Sequence, residues 1–154
     1  MTERSIAHGS FTVERSFKAA PARIFAAWSD PAIKGKWYGD PEKDSVAQEF
    51  DFRPGGRELR AGEISDGTRY NLDIRYYDIV PDERIVYAYE VVINGNRISV
   101  SVATVEFRPE AEGTRLLIAE HGAFLDGHEN LEERRGGTMF TMIRLAALVD
   151  AGAV

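Results

Sequence analysis

Residues Thr138–Ala151, TMFTMIRLAALVDA, decide how this chain is read. Met139, Met142, Ile143, Ala146 and Val149 recur at the spacing of one helical face, and Phe140, Leu145, Ala147 and Leu148 add apolar surface on other sides. Only Arg144 and Asp150 carry charge. A helix that is apolar around most of its circumference is a buried helix, and a stretch of this length is too short to cross a bilayer. Something must wrap around it, and nearly everything before it reads as strand.

Immediately upstream, Asn130 with Glu133 three residues on resembles a capping box. It favours a helix that starts near Asn130 and runs through Gly136-Gly137, where the glycines would let another backbone come close, over one that the glycines delay until Thr138. Further back the pattern is alternation broken by turn signals: Ala111-Glu112-Gly113, Asn94-Gly95, Pro81-Asp82, Asp66-Gly67 and Arg53-Pro54-Gly55-Gly56, the last suited to a type II turn. The expected strands are 11–17, 45–53, 57–64, 68–79, 84–93, 97–108 and 114–121, of which the last six form an antiparallel meander. In the fourth, Tyr70, Leu72, Ile74 and Tyr76 share one face and Asp73, Arg75, Tyr77 and Ile79 the other; apolar members on both predict a bulge partway along. Between the first two strands, Pro21 suits the first turn of a short helix carrying Ile24, Phe25 and Trp28. Asp30-Pro31 caps and opens a second with Ile33 and Trp37, which Gly39 ends. Residues 1–10 are expected to be a flexible start and 11–154 a single domain. The order is that of an α+β domain: a sheet with helices on one face and a cavity between them.

The chain has 154 residues, 44% hydrophobic and 29% charged, with a net charge of −6. That balance provides no general attraction to nucleic acid. Without cysteine there is no disulfide, thiolate chemistry or Cys-ligated zinc. The opening MTERSIAHGS has no apolar core of a signal peptide, and no run is long enough to insert in a membrane, so a cytoplasmic location is expected. Motifs for nucleotide, metalloprotease or nucleophile-elbow chemistry are missing, and no cofactor or metal is expected. His121 and His128 lie near Asp126 and Glu129 without a metal-binding spacing, and that segment reads as a solvated acidic loop.

Several segments, in order, carry a resemblance: ERSFKAAPARIFAAWSDPAIKGKWYG, FDFRPGGRE, SDGTRY, YYDIVPDERIVYAY, ISVSVATVEF, GTRLLIAEHGAFLDG and the final helix. Together they are similar to the START-like, helix-grip (SRPBCC) superfamily, in the AHSA1-like branch related to the C-terminal domain of the activator of Hsp90 ATPase. The resemblance implies a curved antiparallel sheet of about seven strands wrapped around a long C-terminal helix, with an apolar cavity inside. Where the family often has Gly-Trp at the start of that helix, this chain has Gly137-Thr138, so an aromatic lid from that position is missing.

Candidate site residues follow from alternation and composition. Glu120 shares parity with Leu116 and Ile118: it would lie at the strand end, in water or paired with an arginine, since Leu117 and Ala119 make the other face apolar as well, or it would face the concave side, where desolvation raises a carboxyl toward an acid/base range. Trp37, Phe50, Phe52, Tyr89, Met139 and Met142 are the expected cavity wall, with Ser101 and Glu120 as polar contacts. Ser99 alternates with Val100 as Ser101 does with Val102. Arg53, Arg57 and Arg60 are expected to be solvated or paired with Glu58 and Glu63. The leading functional expectation is a binding domain for a small apolar or aromatic molecule. A cyclase- or hydrolase-like enzyme using Glu120, and a chaperone-interaction module, are the alternatives. A homodimer would cover open sheet edges.

Overall fold

The computed structural model describes residues 3–39, 46–64 and 66–154. The chain runs β1 (Ile6–Phe17), α1 (Pro21–Ser29), α2 (Pro31–Trp37), β2 (Glu49–Phe50), β3 (Arg57–Glu63), β4 (Arg69–Val80), β5 (Arg84–Ile93), β6 (Asn96–Glu110), β7 (Gly113–Leu125) and α3 (Leu131–Asp150). One curved antiparallel sheet is ordered β1-β7-β6-β5-β4-β3-β2, so β2 to β7 form the meander and β1 returns to pair with β7. Two short helices and the long α3 occupy its concave side, the helix-grip arrangement. No helix among the described residues is long and apolar enough to cross a membrane.

Local chemistry sets the boundaries. Asp30 caps α2 by accepting from Ala32 N at 2.9 Å, with Pro31 at the first helical position. Asn130 caps α3 by accepting from Glu133 N at 2.9 Å, and the helix continues through both glycines. Asn94 and Gly95 both have positive φ, 48° and 83°, as a type I′ hairpin requires. The bulge in β4 falls between Tyr76 and Asp78. It leaves Tyr76 1% exposed and Tyr77 64%, and returns Ile79 to the core side.

Three expectations are corrected. Residues 5–10 are not a flexible tail: Ile6 to Ser10 pair with Leu125 to His121, and Asp126 N donates to Ser5 O at 2.8 Å; the first two residues of the expected tail lie outside the described residues. These residues are mostly exposed and show no apolar alternation, so only the backbone ladder reveals the strand. The strand expected at 45–53 contracts to Glu49–Phe50, and its expected first residue lies outside the described residues. After Phe50 the backbone closes the turn in which Gly56 N donates to Arg53 O at 2.7 Å. Finally, α3 is not surrounded. It buries one stripe of Arg134, Met142, Leu145, Ala146 and Val149, while Met139, Phe140 and Ile143 are 39%, 50% and 53% exposed. A single sheet covers one side of a helix, and the stripe is narrower than the apolar composition implied.

The core fills one end of the space between sheet and helices. Ile24, Phe25, Ala27 and Trp28 of α1 pack on Val105, Phe107 and Leu116, with Phe25 and Trp28 edge-on to Phe107 at 5.4 Å. Toward α3 the packing opens.

Candidate functional site

Between the sheet and α3 lies a cavity of about 290 Å³. Its apolar wall comes from Trp28, Trp37, Leu72, Val91, Ile118 and Met142, and Tyr38, Tyr70 and Tyr87 add rings with hydroxyls. Trp28 and Trp37 meet edge-on at 4.7 Å, and Trp37 Nε1 donates to Ala27 O at 3.0 Å. That bond fixes the indole and directs its polar atom away from the cavity.

Glu120, Arg134, Glu129 and Thr138 form the polar end. Alternation along β7 turns Leu116, Ile118 and Glu120 inward, and all three are buried. Glu120 is paired across the sheet with Ala103, whose small side chain leaves room above it. Tyr89, buried on β5, donates to Glu120 Oε1 at 2.6 Å, and Thr138 Oγ1 donates to Glu120 Oε2 at 3.3 Å. Burial pushes the Glu120 carboxyl above the usual carboxylate range, outweighing the Tyr89 hydrogen bond and the Arg134 charge.

Arg134 enters from the first turn of α3 and lies within 5.5 Å of the ring centres of Tyr89 and Phe124. Its Nη1 donates to Tyr89 Oη at 3.0 Å and to Ser101 Oγ at 3.5 Å. Its Nη2 donates to Ser99 Oγ and Glu129 Oε2, both at 2.6 Å, and its Nε to Glu129 Oε1 at 3.2 Å. Ser101 faces Gly122 across the sheet, and a Cβ on Gly122 would come within 2.8 Å of Ser101 Oγ. That glycine keeps the hydroxyl in place.

Of the eight residues expected at the site, Trp37, Tyr89, Glu120 and Met142 line the cavity. The other four lie elsewhere. Ser101 is buried behind the polar end and holds Arg134. Phe50 and Phe52 are stacked at 6.1 Å at the other end of the sheet, with Phe52 edge-on to Phe25 and Tyr76. Met139 is on the outer side of α3, its sulfur 3.2 Å from Arg135 Nη1. Parity identifies the face of a strand but not the end of the sheet, and a methionine one helical turn from another can face solvent. Arg134, Tyr38 and Thr138 were not among the expected residues. Arg134, Thr138 and Met142 recur at i, i+4, so extending the helical stripe back by one turn would have shown an arginine on its buried side.

The glycines do not serve the role expected of them, because no atom lies within 4 Å of a Cβ placed on Gly136 or Gly137. Gly137 borders the cavity.

A second buried cluster lies on the other side of Tyr38. Lys34 Nζ donates to Glu58 Oε1 at 2.8 Å and to Tyr76 Oη at 3.2 Å. Arg60 Nε and Tyr76 Oη also donate to Glu58. Lys34, Glu58 and Arg60 are all buried, so Arg60 pairs with Glu58 as expected but is not solvated. Arg53 pairs with Asp51, and Arg57 with Asp73, rather than with Glu58 or Glu63. Burial pushes the Glu58 carboxyl up, but the Lys34 and Arg60 charges and its hydrogen bonds hold it below the usual range. Tyr38 has Lys34 Nζ 4.6 Å from its ring centre. Burial, then the charges of Glu58 and Glu120, raise its hydroxyl pKa.

Residues 18–150 match the family described as activator of Hsp90 ATPase homolog 1-like protein. The chain belongs to that family. Among solved structures, a protein of Rhizobium leguminosarum is 38% identical, with 97% of this chain and 99% of that one covered and a TM-score of 0.91. A Rhizobium loti protein is 39% identical over 93% and 98% of the two chains, with a TM-score of 0.85. One from Chromobacterium violaceum is 25% identical over 91% and 96%, with a TM-score of 0.79. A search of curated proteins returned no match. The homolog 1-like family thus establishes the helix-grip fold, and function must be argued from the cavity.

Proposed function

We propose that this homolog 1-like chain binds a small molecule with an apolar body and a polar head in the cavity between its sheet and α3. The supporting observation is that a wall of Trp28, Trp37, Leu72, Val91, Ile118 and Met142 ends at a buried carboxyl. Pockets of this composition owe affinity to apolar area and orientation to a few polar groups. A cavity of about 150 Å³ holds a benzene, so 290 Å³ suits a body of one or two rings.

The test is native mass spectrometry of the purified protein, followed by denaturing release. A released small molecule is expected, and Met142→Trp, which fills the cavity from α3, should remove it while leaving the fold intact by circular dichroism. A clean mass, with no change in Trp28 and Trp37 fluorescence across a panel of one- and two-ring compounds, would overturn the proposal.

The raised carboxyl also favours a second reading, in which Glu120 acts as general acid or base on the bound molecule. Glu120→Gln would then abolish turnover of the released compound without abolishing its binding. An unchanged rate would end that idea.

A further inference from the structure

The charged groups at the polar end differ in what they have left to offer. A guanidinium has five N–H bonds, and those of Arg134 meet Glu129 twice, Tyr89, Ser99 and Ser101. Its charge is matched by Glu129 at 2.6 Å. Tyr89, accepting from Arg134, has its single proton on Glu120 Oε1. Among the described residues, Glu120 Oε2 receives only Thr138 Oγ1 at 3.3 Å, long for an O–H···O bond. The cation is therefore engaged by protein, and an acceptor oxygen keeps capacity toward the cavity.

Resting on the binding proposal above, we infer that the ligand's head is a neutral hydrogen-bond donor, a hydroxyl or amine N–H, directed at Glu120 Oε2. A carboxylate or phosphate head is rejected. It would face Glu120 and Glu129 in a poorly solvated site whose arginine holds four of its five N–H bonds on protein at 3.2 Å or less and the fifth on Ser101 at 3.5 Å, and an unpaired buried charge is costly. Arg134 is a positioning residue: by donating to Tyr89 it orients that hydroxyl's proton onto Oε1 and leaves Oε2 for the ligand.

Four probes of one shape separate the terms: naphthalene, 2-methoxynaphthalene with an acceptor only, 2-naphthol with a donor, and 2-naphthoate with a negative charge. Titrated against the intact protein at pH 7 by calorimetry, 2-naphthol should bind about tenfold tighter than 2-methoxynaphthalene, the effect of one hydrogen bond. The 2-naphthoate should bind weakest. Glu120→Gln should invert the order. The Tyr89 proton still needs an acceptor, so the new amide must turn its oxygen to Tyr89 and its N–H₂ to the cavity. The advantage of 2-naphthol should then disappear, and 2-naphthoate should gain. Equal binding of all four probes to the wild type, or tightest binding of 2-naphthoate, would overturn the inference and leave the binding proposal standing. No binding by any probe, naphthalene included, would overturn both.

Discussion

Two buried carboxylates share this sheet, each beneath a tyrosine hydroxyl, and they are held in opposite ways. Glu58 receives Tyr76 and two cations directly, Lys34 and Arg60. Glu120 receives Tyr89, and the nearby cation reaches it only through that hydroxyl. The chain of rings Tyr76, Tyr87 and Tyr89, with centroids 6.1 and 5.8 Å apart, joins the two places. Burial is similar, so the difference is in contact. Direct pairing with two cations lowers one carboxyl below its ordinary range, while indirect pairing leaves the other above it. The first carboxyl is held by three donors. The second has an oxygen facing a cavity.

The largest effect that separates them is on stability. Glu58→Gln leaves Lys34 and Arg60 buried against a neutral amide that can accept on only one side. Breaking a buried pair in this way costs about 3–5 kcal/mol, which urea denaturation at pH 7 would measure. The wild type should also lose this contribution in acid. Because the folded carboxyl lies below its unfolded value, the stabilisation is complete above the unfolded value and disappears as pH falls through the folded one. The variant should show a flatter acid limb. A loss below about 1 kcal/mol, the range of a surface pair, would mean that the cluster is not the buried triad described.

Glu120→Gln should act with the opposite sign. A folded carboxyl raised above its unfolded value contributes fully below the unfolded value, and that contribution is lost as pH rises through the folded one. Above the folded value the wild type holds a poorly solvated charge that the amide avoids, so at pH 8 the variant should be as stable as the wild type or more stable. At pH 4 the gain should vanish. Denaturation at the two pH values checks this. A variant destabilised by several kcal/mol at both would make Glu120 a second structural carboxylate and end the contrast.

How far this was legible from sequence depends on the range of each interaction. Caps and turns at Asp30-Pro31, Asn94-Gly95 and Asn130 are local chemistry, and they appear where the residues placed them. Parity offered an inward Glu120, because Leu116 and Ile118 precede it on one strand, but apolar Leu117 and Ala119 on the other face left a solvated strand end equally open until the sheet was assembled. It could not show that Phe50 and Phe52 pack at the far end, since that depends on which strands become neighbours. Nor could it reveal that Glu58, in a run of exposed-looking charges, is buried by Lys34 from a helix 24 residues earlier. Arg134 was missed for a related reason. A charged residue ahead of two glycines looks like a solvated first turn until Tyr89, Ser99 and Ser101 are brought beneath it from β5 and β6.

The two glycines on α3 sharpen the contrast with the smallest change. Both are inside the helix, and an added methyl meets no atom within 4 Å at either position. Replacing glycine by alanine in a helix interior stabilises by about 0.8–1.0 kcal/mol, so Gly136→Ala and Gly137→Ala should each raise the melting temperature to a similar degree. Only Gly137 borders the cavity. If binding occurs there, Gly137→Ala should weaken 2-naphthol while Gly136→Ala leaves it unchanged, with stability matched between them. Equal affinities in the two variants would show that the ligand does not reach the wall at Gly137. The glycine's role would then be confined to the helix backbone.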